Sequence, residues 1–241
     1  MLPRIMLDFG HGGRDSGATG FNLEEKNVVK DIGYRVANEL RKYKCEINLT
    51  RSTDAFIPLR TRTKLANKWK ANIFVSFHCN AGGGGKAEGY ESFISRFASK
   101  KSRELQNNIH PGSAKLFRKD RGKKRKGFWV LVGTRMPSIL LENGFINNRH
   151  DATQLKSTVF KNKLAKSIAN GIVKTLNLKK RSGKMPRKLS EQERADRVYK
   201  RYYKGKIDDT SLTKKEESVI NLRIMEDRKK LWFMKFRRKG K

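Results

Sequence analysis

Residues 4–13 read RIMLDFGHGG, a short apolar run that breaks into a glycine-rich turn with a histidine at its centre. An apolar run of this length, bounded by glycine, predicts a buried β-strand. Five further β-branched or aromatic runs follow, at 46–50, 72–78, 89–94, 128–132 and 137–142. Helical patterns occupy the gaps at 25–43, 57–70, 99–109 and 158–176. This alternation predicts an α/β fold: one mostly parallel β-sheet of about six strands flanked by helices.

In an open α/β sheet, ligands collect beyond the carboxyl ends of the strands, where loops and helix N-termini converge. Three of the runs end in a group able to bind metal or move a proton. RIMLDF leads into Gly10-His11, NIFVSF leads directly into His78, and SILL leads directly into Glu142. If these strands are parallel, the three groups share one rim.

A fourth group arrives from a helix. With Asn22 as its expected N-cap, the first helix carries an apolar stripe of Val29, Ile32, Val36 and Leu40, and Glu25 falls on the same face. Glu24 aligns with Asp31 and Arg35 and is expected in water. A carboxylate aimed at the sheet costs several kcal/mol unless a cation receives it.

Each residue also has a plainer reading. Asn22-x-x-Glu25 fits a capping box. His78 alone could be a satisfied core histidine, His11 a turn residue, and Glu142 a partner for a lysine. Taken together, two histidines and one glutamate form a common three-ligand zinc set that leaves a coordination position open. Glu142 would then be the extra carboxylate that accepts a proton from water.

At this point six stretches resemble the zinc-dependent N-acetylmuramoyl-L-alanine amidases of the type-3 fold. They are IMLDFGHGGRDSGATG, LEEKNVVKDI, PLRTRTKLAN, FVSFHCNAG, GYESFIS and VLVGTRMPSILLENGFINN, in family order, within about residues 4–175. The resemblance implies that His11, Glu25 and His78 hold one Zn²⁺ per chain and that Glu142 is the catalytic glutamate. Arg62 and Asn80 lie in matching motifs and are expected either to brace the site or to touch substrate. One departure is Phe9, where the family usually shows proline. The inhibitory helix that some family members carry has only a short, basic counterpart here, NNIHPGSAKLFRKDRGKKRKG, so an open site is expected; His110 within it, and His150, are expected on the surface.

The implied reaction is hydrolysis of the amide between the lactyl group of N-acetylmuramic acid and the L-alanine of the stem peptide. The charge agrees with a cell-wall setting. Against 23 Asp and Glu stand 57 Lys and Arg, a formal net charge of +34, which calls for a polyanionic neighbour such as an anionic wall polymer. With 36% hydrophobic residues the chain is too apolar to be only a basic tail. No apolar run approaches the roughly 20 residues needed to cross a bilayer. The N-terminus does not read as a signal peptide. The expectation is a phage endolysin released by a holin, or a lysin carried on a virion. Cys45 and Cys79 are the only cysteines, so disulfides do not staple the fold, and Cys79 is expected to be a small buried thiol.

The expected organisation is a zinc amidase domain at 1–178, a basic linker at 179–188, and a basic helical region at 189–241 with wall binding as its candidate role. Ser190-x-x-Glu193 and Thr213-x-x-Glu216 each fit a capping box in that last region. Two rival functions remain open. One is a nucleic-acid binder on an inactive amidase-like fold, suggested by Tyr199, Tyr202, Tyr203, Trp232 and Phe236 interleaved with basic residues. The other is a zinc endopeptidase that cuts within the peptide stem.

Overall fold

The computed structural model describes residues 1–182; the basic region at 189–241 and its two expected capping boxes lie outside the described residues. In chain order the elements are β1 (Arg4–Phe9), β2 (Thr19–Gly20), β3 (Leu23–Glu24), α1 (Glu25–Leu40), β4 (Glu46–Leu49), α2 (Leu59–Lys68) and β5 (Ile73–Asn80). They continue with β6 (Tyr90–Ile94), α3 (Lys100–Ala114), β7 (Asp120–Arg125), α4 (Trp129–Val132), β8 (Ser138–Phe145), α5 (Arg149–Lys156) and α6 (Thr158–Leu176).

Six strands form one sheet in the order β4-β1-β5-β8-β6-β7. Strands β4, β1, β5 and β8 run parallel, β6 is antiparallel to β8, and β7 is parallel to β6. The carboxyl ends of β1, β5 and β8 therefore do share one rim, as the α/β pattern requires.

Side chains alternate between the two faces of the sheet. Ile5, Leu7, Phe9, Ile73, Val75, Phe77, Ile139 and Leu141 pack against buried residues of α1, α3 and α6. Met6, Phe74, Phe93 and Leu140 pack against Ala66 of α2 and Val130 and Leu131 of α4. Burying each such large side chain contributes about 1.5–3 kcal/mol. Toward the rim, the second face continues as Asp8, Ser76, His78, Glu142 and Glu91, so apolar packing gives way to chemistry along the same strands.

Phe9 takes the place expected of a proline by becoming core. It is fully buried and meets Tyr34 and Phe77 edge-on, at ring distances of 5.2 and 6.1 Å. Gly33 on α1 makes this possible, because a Cβ there would lie 2.1 Å from the Phe9 ring.

Three local expectations are corrected. The run at 128–132 is the short helix α4, not a strand; five apolar residues fit either, and burial of Val130 and Leu131 between sheet and α2 selects the helix. α1 starts at Glu25 without a side-chain cap, because Phe21 and Asn22, at φ +50° and +58°, form the turn of a small β2–β3 hairpin instead. The capping box with Asn22 is therefore not formed. α3 runs through Pro111 to Ala114, and its polar continuation DRGKKR becomes β7, an edge strand where charge is tolerated. α5 is short and polar, with Asn148 capping it through bonds from the amides of His150 and Asp151. Beyond α6, Lys179 and Arg181 still pair with the body: the Lys44 amide donates to Lys179 and the Arg181 amide to Lys42.

Candidate metal centre and its neighbouring carboxylate

The turn after β1 holds His11 in the left-handed region, at φ +57°. Two arginines fix that backbone. Arg62 donates to the carbonyls of Ile57, Phe9 and His11 and pairs with Asp8 at 2.8 Å. Arg51 donates to the carbonyls of Phe9, Gly10, Lys26 and Thr53. Burial, helped by the nearby Arg62 charge, pushes Arg51 down to about 10. Asp8, fully buried, also accepts from Thr50 and Ser76; the Arg62 charge and these hydrogen bonds outweigh burial and hold its carboxyl below the usual range. The flanking glycines have separate reasons. A Cβ on Gly10 would lie 2.4 Å from the His78 ring, and Gly12, at φ +125°, sits against the Ala55 carbonyl.

Glu25 opens α1 and is 3% exposed. Its Oε1 accepts from the Cys79 amide at 2.9 Å and its Oε2 from the Ala18 amide at 2.9 Å. The same Oε1 lies 3.0 Å from His11 Nε2 and 3.0 Å from His78 Nδ1. One ligand atom from each of the three residues falls within 4.8 Å of the others. Asp15 lies behind His11, both carboxylate oxygens 2.9 Å from Nδ1.

The electrostatics describe a place built for positive charge. Burial favours a neutral Glu25, but the two imidazoles outweigh it and hold the carboxyl far below the usual range. Burial also favours neutral His11, and Glu25 and Asp15 outweigh it, raising its value. Two imidazoles, a hard carboxylate and a carboxylate orienting the far nitrogen of one imidazole are the donor set of a zinc site, so the residues fit the metal that the resemblance implies.

Glu142 stands beside this cluster, in direct cross-strand register with His78. Its Oε2 is buried without a hydrogen-bond partner. Burial is the main reason its carboxyl is pushed up to about 7. A carboxyl poised near neutrality, with one oxygen unpaired next to three potential ligands, is able to exchange a proton with a bound reactant.

Of the two residues with open roles, Arg62 is buried and spends its guanidinium on protein groups, which is bracing. Asn80 donates through Nδ2 to Glu91. Asp15 and Glu91 went unnoticed in the sequence; the only signal for Asp15 was its position within the GHGGRDSG turn. His110 corrects an expectation: it is buried, not on the surface, with Nδ1 2.8 Å from Ser92 Oγ and Nε2 2.8 Å from Asp120. Its burial follows from α3 and β7 closing over it. Cys79 is a buried free thiol that burial holds well above its ordinary value.

Comparison with known proteins shows the family. The family model described as N-acetylmuramoyl-L-alanine amidase matches residues 5–174. The chain belongs to that amidase family. It is 40% identical over 188 residues to the endolysin of Bacillus phage SPP1, covering 76% of this chain and 69% of that protein. It is 40% identical over 184 residues to the sporulation-specific N-acetylmuramoyl-L-alanine amidase of Bacillus subtilis (strain 168), covering 75% of this chain and 71% of that protein. Among solved structures it resembles the catalytic domain of the CwlV amidase of Bacillus (Paenibacillus) polymyxa var. colistinus. The TM-score is 0.70 at 36% identity, over 74% of this chain and all of that domain. Among the described residues of this amidase, no helix is long and apolar enough to cross a membrane.

Proposed function

We propose that this amidase hydrolyses the amide between N-acetylmuramic acid and the L-alanine of the peptidoglycan stem, with His11, Glu25 and His78 holding one Zn²⁺ and Glu142 as the general base. The observation that carries this reading is the convergence of three ligand atoms within 4.8 Å of one another beside a carboxylate, Glu142, whose Oε2 is buried with no hydrogen-bond partner. His11, Glu25 and His78 would hold the zinc, whose chemistry there would be to acidify a bound water molecule and polarise the amide carbonyl. The chain's own residues do the rest. Asp15 fixes the ring of His11 so that Nε2 faces the centre. The Ala18 and Cys79 amides hold Glu25 in place and ionised. Glu142 takes the proton of the attacking water and delivers it to the leaving alanine nitrogen, a task suited to a carboxyl near neutrality.

The setting we propose is a lysin acting on the cell wall from a phage, after release through a holin or from a virion; the likeness to a phage endolysin supports it. Anionic wall polymers are the proposed partners of the basic surface.

Zinc analysis together with product identification on purified peptidoglycan tests the proposal. Wild type is expected to carry one zinc per chain and to release free N-terminal alanine. A different new amine would mark an endopeptidase, and intact peptidoglycan would leave the nucleic-acid reading. Replacing His11 or His78 with alanine is expected to abolish stoichiometric zinc, and retained zinc would remove that residue from the ligand set.

A further inference from the structure

Glu91 lies directly opposite Glu142 on the antiparallel β6–β8 pair. Like charges in that position repel, and two cations on β7 offset this. Lys124 Nζ pairs with Glu91 Oε2, and Arg121 Nε reaches the same oxygen at 3.4 Å. Two cations therefore converge on one oxygen of Glu91, with Glu142 as the second carboxylate of the group. Neither cation is sealed in: the Lys124 side chain is 40% and that of Arg121 25% exposed. Lys124 also lies over the Phe93 ring, which puts it on the same face of the sheet as Glu91 and Glu142. Asp120, the nearest other carboxylate in sequence, is committed to His110.

We propose that Lys124 and Arg121 form a specificity subsite that receives a carboxylate of the stem peptide beyond the scissile amide. The spacing supports this. Neighbouring strands lie about 4.8 Å apart, so a cation reaching Glu91 from β7 stands roughly 5–10 Å from Glu142. An extended peptide advances roughly 3.3 Å per residue, which places the received carboxylate about two to three residues past the cut bond. Its negative charge is received on the exposed sides of the two cations, which Glu91 does not cover. The subsite deepens the amidase reading and rests on it.

The experiment compares two soluble muramoyl peptides that differ only next to the alanine, one bearing a free carboxylate and the other its primary amide. The zinc-loaded full chain is expected to prefer the carboxylate in kcat/KM by roughly tenfold, the size of one partly screened charge pair. Lys124→Met is expected to bring that ratio close to one. Because this change also removes a partner of Glu91, it is repeated in the Glu91→Gln chain, where no buried charge needs holding. Loss of the preference in both backgrounds supports the subsite. Equal cleavage by wild type, or a Lys124→Met effect that vanishes once Glu91 is neutral, overturns the subsite and leaves the amidase standing. Cleavage of neither peptide by wild type overturns both.

Discussion

Among the described residues there are two histidine–carboxylate clusters, and of these one has the makings of a site. Around His110, both ring nitrogens are taken, one by Ser92 and one by Asp120, and the histidine side chain is 3% exposed. On paper Ser92, His110 and Asp120 resemble a hydrolytic triad, yet Ser92 is fully buried and no substrate can reach its hydroxyl. Around His11 and His78, the imidazoles are 24% and 17% exposed and share one oxygen of Glu25, with the unpartnered Oε2 of Glu142 nearby. The difference lies in what is left unsatisfied. A closed hydrogen-bond network stabilises the fold, whereas donors crowded around one point with a spare carboxyl beside them attract a cation and a reactant.

The largest effect should come from the residue whose bonding is least complete. Glu142→Gln keeps size and burial but removes the base, and kcat is expected to fall by roughly 10²–10⁴-fold with zinc content unchanged. A zinc-loaded Gln variant of near wild-type rate would erase the distinction between the two clusters. Next in size is Asp15→Asn, which weakens the hold on the His11 ring and is expected to loosen zinc by roughly 10–100-fold, measured by chelator competition. Unaltered affinity would make Asp15 a turn residue only.

Much of this site was legible in the sequence because strand ends impose it. His11, His78 and Glu142 each follow an apolar run, and parallel pairing leaves them no other place than one rim. Glu25 was legible from helical spacing alone: Val29, Ile32, Val36 and Leu40 are buried on the face it shares. What escaped depended on contacts across turns and between strands. Asp15 meets His11 by the folding back of a glycine turn, and Glu91 meets Lys124 and Arg121 only once DRGKKR is recruited as an edge strand. Neither relation has a period. His110 was misplaced for the same reason, since a Pro-Gly and a run of lysines read as a surface loop until α3 continues through Pro111. The apolar run at 128–132 failed differently, its length being compatible with both strand and helix.

pH gives a smaller effect than either substitution. Burial pushes the Glu142 carboxyl up to about 7, and a base must be deprotonated to act. The rate is therefore expected to fall as pH drops below that value and to rise as pH climbs through it; a bound cation, favouring the ionised form, moves the limb toward lower pH. The kcat profile of the zinc-loaded enzyme checks this. A rate that is flat across the acid-to-neutral range would remove Glu142 from proton transfer while leaving the ligand set intact.

The smallest catalytic effect belongs to His110, and it sharpens the comparison from the other side. His110→Ala takes one partner from Ser92 Oγ, which keeps Gln106, and one from the exposed Asp120, which keeps the Gly122 amide, and it empties the buried volume of the ring, a loss of about 2–3 kcal/mol. For a body of this size that lowers Tm by roughly 5–10 °C. The imidazole touches neither the Glu25 cluster nor Glu142, so zinc stoichiometry and kcat at a temperature well below Tm are expected to stay with the wild type. The two clusters lie at different places on the sheet, one anchored to the β1 and β5 ends and the other clamped between α3 and the β6–β7 edge. Loss of zinc in the His110 variant, with the fold intact by circular dichroism, would mean that the edge strands and the metal centre respond as one unit. Retained zinc beside a lowered Tm would place the two histidine clusters in separate roles, one carrying chemistry and the other holding β7 to the body.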